Sequence, residues 1–254
     1  MVVYQCPDSM EGILTAIYDI YADGNQKEDA HIDLDGDTFL FAEYKQVLPD
    51  REKSEKVLHT IKRRFGGQDS EWICLALASE DSRKAQAVYR TVARGLAEKK
   101  GVGGLFDAMA DDDVNLAYKL GQRSWHEYHH LMGFVRFEEL EGKILYAKIG
   151  PKSNLLPFLM PHFEDRLSIE HFMIYDECHD LLGLHVAGQS WYLMEGCGDP
   201  KTVAGVCVTE DEEKYQELFR FFCHRITIEE RKNPALQQQL LPLRFREYMT
   251  EWKG

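Results

Sequence analysis

The feature that most constrains this chain is a single change of apolar spacing near residue 133. Asp111, Asp112 and Asp113 place negative charge where a helix N-terminus favours it, and the segment behind them keeps helical spacing through WHEYHHLM. At Gly133 the pattern turns extended. The runs GFVRFEEL and KILYAKI flank Glu141-Gly142, a turn signal between strands. The spacing therefore predicts a long helix ending at Gly133 and a hairpin over about 134–149.

The rest of the chain extends this reading. After GPKSN, a helix is expected from about Leu155 to Arg166, kinked near Pro157 and Pro161. HFMIYD, LLGLHVA and SWYLME are three strand candidates between about 171 and 195. A long helix follows from about Glu210 to Glu230, then a break at Asn233-Pro234 and a helical end. Upstream, VVYQC reads as a strand, and Asp8 with Glu11 marks the start of helix EGILTAIYDIY. TFLFAEYKQVL reads as extended, and Asp50 caps the helix REKSEKVLHTIKRRF, which stops at Gly66-Gly67. Helices at about 69–79 and 80–99 precede a break at GVGG.

The class implied is α+β, with one antiparallel sheet covered by helices before and after it. The hairpin at 134–149 and the strands at 171–195 form that sheet. Phe219, Phe222 and Ile226 share a helical stripe expected to pack on it, and Trp191 alternates with Leu193. The expected division is an N-terminal strand-and-helix part at 1–84 and a core at 85–250, packed as one unit.

Composition narrows the function. A net charge of −13 argues against a chain that coats nucleic acid unaided. Residues 225–254 hold six basic side chains against four acidic ones, a balance of +2 that leaves −15 for residues 1–224. No apolar run approaches the roughly 20 residues that span a bilayer. MVVYQCPDSMEG lacks signal-peptide features, so a cytoplasmic protein is expected. The six cysteines are scattered without a C-x-x-C pair, which suggests reduced thiols and no iron–sulfur cluster of the chain's own.

His126, Glu127 and His130 spell H-E-x-x-H, the helical zinc-hydrolase pattern, and Gly133 extends the match. Arg136 stands where the longer pattern needs a third histidine, and a guanidinium cannot ligate zinc. DLDGD at 33–37 resembles a calcium loop, but Tyr44 occupies the position of the bidentate glutamate. No phosphate-binding glycine loop and no G-x-S-x-G elbow is present. A set of polar residues remains among the strands and final helices: Arg136, Asn154, His162, Asp176, Arg231 and Asn233. For each, a structural ion pair competes with a site role.

At these residues the chain resembles a family of DNA-repair or DNA-metabolism proteins built on a domain of unknown function. The likeness runs from VYQCPDSMEGILTAIYDIY onward. It is strongest in EYHHLMGFVRFEELEGKILYAKIGPKSNLLPFLMPHFEDRL and YQELFRFFCHRITIEERKNPALQQQLLPLRF. The family pattern selects Glu127, His129, Gly133, Phe134, Arg136 and Phe137, with His130 as the basic position. Its histidine is thus not one of the zinc pair, and the resemblance makes H-E-x-x-H coincidental. Two departures stand out. Pro151-Lys152-Ser153-Asn154 replaces P-D-H-N, and Arg244-Phe245-Arg246 follows a glutamine-rich stretch where the family often has R-Y-W.

The resemblance implies gene neighbourhood with a radical SAM protein and, in some members, fusion to a uracil-DNA glycosylase. The expected role is accessory: DNA metabolism beside a radical SAM partner, with DNA and a uracil-DNA glycosylase as further partners and no membrane. Site candidates are Glu127, His129, Arg136, Asn154, His162 and Asp176. Arg231, Arg244 and Arg246 are the candidate phosphate contacts, and no metal or cofactor is expected. An enzyme acting on a nucleic-acid component and a pure protein adaptor are the alternatives.

Overall fold

The computed structural model describes residues 1–25, 30–34, 36–98, 104–228 and 231–252. Two compact units divide the chain, Met1–His126 and Glu127–Gly254.

In the first unit, β1 (Val2–Gln5) lies between β2 (Ala30–Asp33) and β3 (Glu43–Gln46), both parallel to it. Parallel neighbours need crossovers, and α1 (Met10–Ala22) supplies the first. Its stripe of Ile13, Leu14, Ile17 and Ile20 is buried. Ser9, not Asp8, caps this helix by accepting from the Gly12 amide, while Asp8 pairs with Lys84 at 2.6 Å. The sequence pattern gave no sign of β2, four residues without alternation. The long extended run before Pro49 shortens to β3, because Phe41 turns at φ 62° into solvent. Helices α2 (Arg51–Phe65), α3 (Gly67–Ala78) and α4 (Lys84–Ala97) follow in this unit, which ends within a fifth helix. Residues 101–103 of the expected GVGG break and Asp35 of the DLDGD turn lie outside the described residues.

Helix α5 (Asp112–Phe134) begins where Asp111 accepts from the amides of Asp113 and Val114 at 3.0 and 3.2 Å. It runs through Gly133, one residue further than expected. Residues 135–137 connect it to β4 (Glu138–Leu140), so Arg136 lies in this connection and not in a strand. β4 pairs with β5 (Ile144–Ile149) around a turn in which Gly142 and Lys143 take φ of 88° and 59°. Then follow α6 (Leu156–Arg166), β6 (Phe172–Asp176), β7 (Leu181–His185) and β8 (Tyr192–Glu195).

These strands form one sheet in the order β4-β5-β6-β7-β8. One pair departs from the expected antiparallel arrangement: β5 and β6 are parallel. The cause is α6, which carries the chain back between them. Pro157 falls in the first turn of α6, where its missing amide costs nothing, and Pro161 lies inside it. Leu159, Met160 and Phe163 of α6 are buried, as are Phe172, Ile174 and Ile149 of the sheet. Leu140, Tyr146, Tyr175 and Leu182 form a separate buried cluster, against which Val206 and Val208 pack.

The chain ends with α7 (Pro200–Val203), α8 (Glu210–Ile226), α9 (Pro234–Leu240), α10 (Leu243–Arg246) and a 3-10 turn at Thr250–Trp252. Here the structure corrects the sequence reading. Helix α8 meets the sheet at its foot, through the Val208–Leu140 bridge and the Thr209 amide on the Glu139 carbonyl. It buries no residue, and Phe219, Phe222 and Ile226 are 39, 55 and 58% exposed. It also ends at Ile226; Glu229 and Glu230 lie outside the described residues. Among the described residues, no helix is long and apolar enough to cross a membrane.

The close fit of α6 over β7 is testable. A Cβ at Gly183 would collide with the buried Met160 thioether. Gly183→Val should therefore cost about 1–3 kcal/mol in denaturant unfolding through overpacking, and Met160→Ala in the same chain should recover part of that loss.

Candidate functional site

The second half of α5, the loop after β5 and α10 meet at one side chain. Glu127 is 4% exposed. Its Oε1 accepts from the Lys152 amide at 2.9 Å and its Oε2 from the Ser153 amide at 3.0 Å. Arg244 Nη2 lies 3.0 Å from Oε1. A buried carboxylate needs such donors, and two backbone amides with one guanidinium supply them. Gly150 opens this loop because a Cβ there would run into the Tyr248 hydroxyl. Tyr248 donates in turn to Glu177, whose other oxygen is 2.7 Å from Lys148 Nζ.

Asp176 closes β6 and is fully buried. Its Oδ1 accepts from the amides of Cys178 and His179 at 3.0 and 3.3 Å, and its Oδ2 lies 2.7 Å from His179 Nδ1. Burial pushes this carboxyl above the usual range, and the bond to His179 opposes the rise. The contact lets neutral His179 donate from Nδ1, which leaves Nε2 as the basic nitrogen. Exposed Cys178 is a poor nucleophile. Partial burial, then the charges of Asp176, Glu177, Glu127 and Glu247, raise its thiol, whereas the reactive form is the thiolate.

The remaining candidates are dispersed. His129 is exposed, its ring edge-on to Tyr128 at 5.3 Å, and Asn154 is exposed at the end of the Glu127 loop. On α6, His162 has a buried Nε2 without a hydrogen-bond partner among the described residues. Arg136 donates to Glu251 and to the Gly133 carbonyl, both at 2.9 Å, which makes it a structural ion pair that caps α5. In the H-E-x-x-H segment, Glu127 is committed to its amides, and the His130 ring stacks on Phe134 and meets Phe245. Among the described residues, no three His, Cys, Asp or Glu side chains are grouped to hold a metal.

The three candidate phosphate arginines also separate. Arg244 serves Glu127. Arg246 lies 4.1 Å from the Trp252 ring centre and donates to the Leu241 carbonyl at 3.3 and 3.2 Å. Arg231 is exposed and lines a cleft of about 910 Å³ between the end of α8 and α9. Arg220, His224 and Lys232 line it as well, with Ile226, Leu236 and Leu240 as apolar walls. Asn233 caps α9, accepting from the Leu236 amide at 3.0 Å.

Sequence reasoning missed a polar network on the other sheet face. Tyr146 donates to Asp199 at 2.7 Å, and Lys148 reaches Asp199 at 3.6 Å as well as Glu177. Burial first, and then Asp199, push the Tyr146 hydroxyl far up, so it stays a donor. Strand parity carried one clue, since Tyr146 and Lys148 are two residues apart on β5. Nothing near Asp199 in the sequence pointed to it.

Residues 82–251 match the DUF4130 family, a domain of unknown function. The chain belongs to this family. No match to a curated protein was found. The span shared with DUF4130 proteins takes in the site residues from Glu127 to Glu251 and stops before Trp252.

Two outcomes follow for the DUF4130 site. Glu127→Gln sets an amide N–H₂ against a backbone N–H and strands Arg244; chemical denaturation should show a loss of about 2–3 kcal/mol. For Asp176 the sign is set by its raised carboxyl. Such a group stabilises the fold below the ordinary carboxylate value, and that contribution fades as pH rises through the raised one. Wild type should thus gain melting temperature relative to Asp176→Asn as pH falls from neutral toward about 4; a constant difference across that range would contradict the assignment.

Proposed function

We propose that this DUF4130 protein is an accessory factor of DNA metabolism that works beside a radical SAM partner and touches nucleic acid weakly, through phosphate. One observation carries the reading. The cleft between α8 and α9 gathers Arg220, His224, Arg231 and Lys232, with one carboxylate, Glu251, around apolar walls, on a chain whose net charge is −13. Local positive charge over apolar surface suits a single strand, which offers phosphates and unstacked bases together. Arg231, exposed on the cleft, is the proposed contact, because Arg244 and Arg246 already serve internal partners. A uracil-DNA glycosylase is a further partner under this reading. The second reading, an enzyme acting on a nucleic-acid component, draws on the Asp176–His179 pair beside the carboxyl ends of β5 and β6.

The test is binding of short single-stranded and duplex DNA, and of RNA, across a salt series, with and without the radical SAM partner. Binding should be weak and fall steeply with salt. Removing Arg231 should lower the salt slope by about 0.7 for that lost single-strand contact. Arg136→Ala should instead lower the melting temperature and leave that slope unchanged. If no nucleic acid binds at low salt, alone or with the partner, the accessory reading gives way to a pure adaptor.

A further inference from the structure

Helix α8 faces the wrong way for a helix that belongs to one chain. Its partly buried positions are Glu212, Gln216, Arg220 and Cys223, a mostly polar set at helical spacing. Tyr215, Leu218, Phe219, Phe222 and Ile226 are all exposed. At about 100° per residue these five fall within one stripe, beside the inward face. Single exposed apolar residues are ordinary, but a continuous stripe of this kind marks an interaction surface.

The charges of α8 say what covers it. The first turn holds Glu210, Asp211, Glu212 and Glu213, and the last turn holds His224 and Arg225. The helix dipole accounts for the placement of these charges but not for the stripe between them. On the wheel, Asp211 and Arg225 lie along the same solvent edge of that stripe. A two-fold axis near Leu218 would set the α8 helix of one copy antiparallel on that of another. Each Asp211 would then face the other copy's Arg225, while Leu218 meets its own counterpart. Such self-complementarity is what an isologous contact requires. The present partners of these two residues do not oppose it. Asp211 pairs with Lys214 where both are exposed, and such pairs contribute little. Arg225 lies over the Phe221 ring at 5.2 Å.

We infer that the exposed stripe of α8 is a homodimer interface, in which two copies of this chain pair their α8 helices antiparallel. Light scattering or sedimentation of the full chain should show the mass rising from 29.4 kDa toward twice that value through the micromolar range. Phe222→Asp should hold it at the lower mass, with a melting temperature equal to wild type when both are measured dilute enough to be monomeric. Asp211→Arg or Arg225→Asp alone should weaken the dimer about fivefold to tenfold, and both in one chain should restore it. A chain that stays at 29.4 kDa throughout would give the stripe to a different protein and overturn the inference. A melting loss in Phe222→Asp that persists at that dilution would also overturn it, by assigning the stripe to packing within the chain. Failure of the double charge swap to rescue would remove the antiparallel arrangement and with it the proposal.

Discussion

A carboxylate inside a protein has to be given donors, and Glu127 obtains three from two separate parts of the chain. The Lys152 and Ser153 amides fix the loop that leaves β5, and Arg244 ties the C-terminal helix to the same oxygens. Much else in this unit is consistent with that demand. Tyr248 packs on Gly150, Arg136 reaches Glu251, and Phe245 is buried against His130 and Phe134. The C-terminal stretch is therefore held by one buried charge, one phenol, one ion pair and one apolar anchor. The same commitment removes Glu127 from the role that the H-E-x-x-H pattern would give it. A general base must reach the reacting proton, and this side chain is buried and held by three donors.

The parallel pair β5–β6 has a comparable reach. A hairpin would have put the two strand exits at opposite ends of the sheet. The α6 crossover puts both exits on one edge, so Gly150–Asn154 and Asp176–His179 leave it side by side. Two buried carboxylates, Glu127 and Asp176, organise those loops through backbone amides. Ligand crevices outside carboxyl strand ends are a rule of open parallel α/β sheets, and among the described strands of this mixed sheet only the β5–β6 pair shares that geometry. Asp176 in turn holds the His179 imidazole through Nδ1 at 2.7 Å.

Elements whose apolar spacing was unbroken were legible from the sequence: α1, α2, α5, the β4–β5 hairpin and strands β6 to β8. Orientation was not. Nothing in the composition of α6 distinguishes a helix that crosses over from one that merely follows a hairpin, so the parallel pair stayed hidden. The α8 stripe was visible, but period alone cannot say whether a stripe faces its own sheet or solvent. At the site, Glu127 and Asp176 were named without their donors, since backbone amides leave no trace in side-chain patterns. Arg136 was placed in a strand because its neighbours Phe134, Val135 and Phe137 are bulky and apolar, whereas three residues of connection serve to bring it to Glu251. The Tyr146–Asp199 contact joins residues 53 apart, and no local signal spans that distance.

Formal charge misleads at the C-terminus in a way that bears on what this protein can bind. Residues 225–254 carry a balance of +2, yet Arg244 is drawn onto a buried carboxylate and Arg246 onto a carbonyl and an indole. What a phosphate would meet is a much smaller set, in which Arg231 stands exposed on the cleft. Two or three contacts give weak binding at physiological salt, and the acidic remainder of the chain opposes even that. Contacts this few become effective when something else holds the strand nearby, because tethering replaces a bimolecular encounter with a local one. A chain with a sparse basic cleft and an exposed apolar helix is thus physically suited to act within an assembly, where a partner supplies the proximity that its own charge cannot.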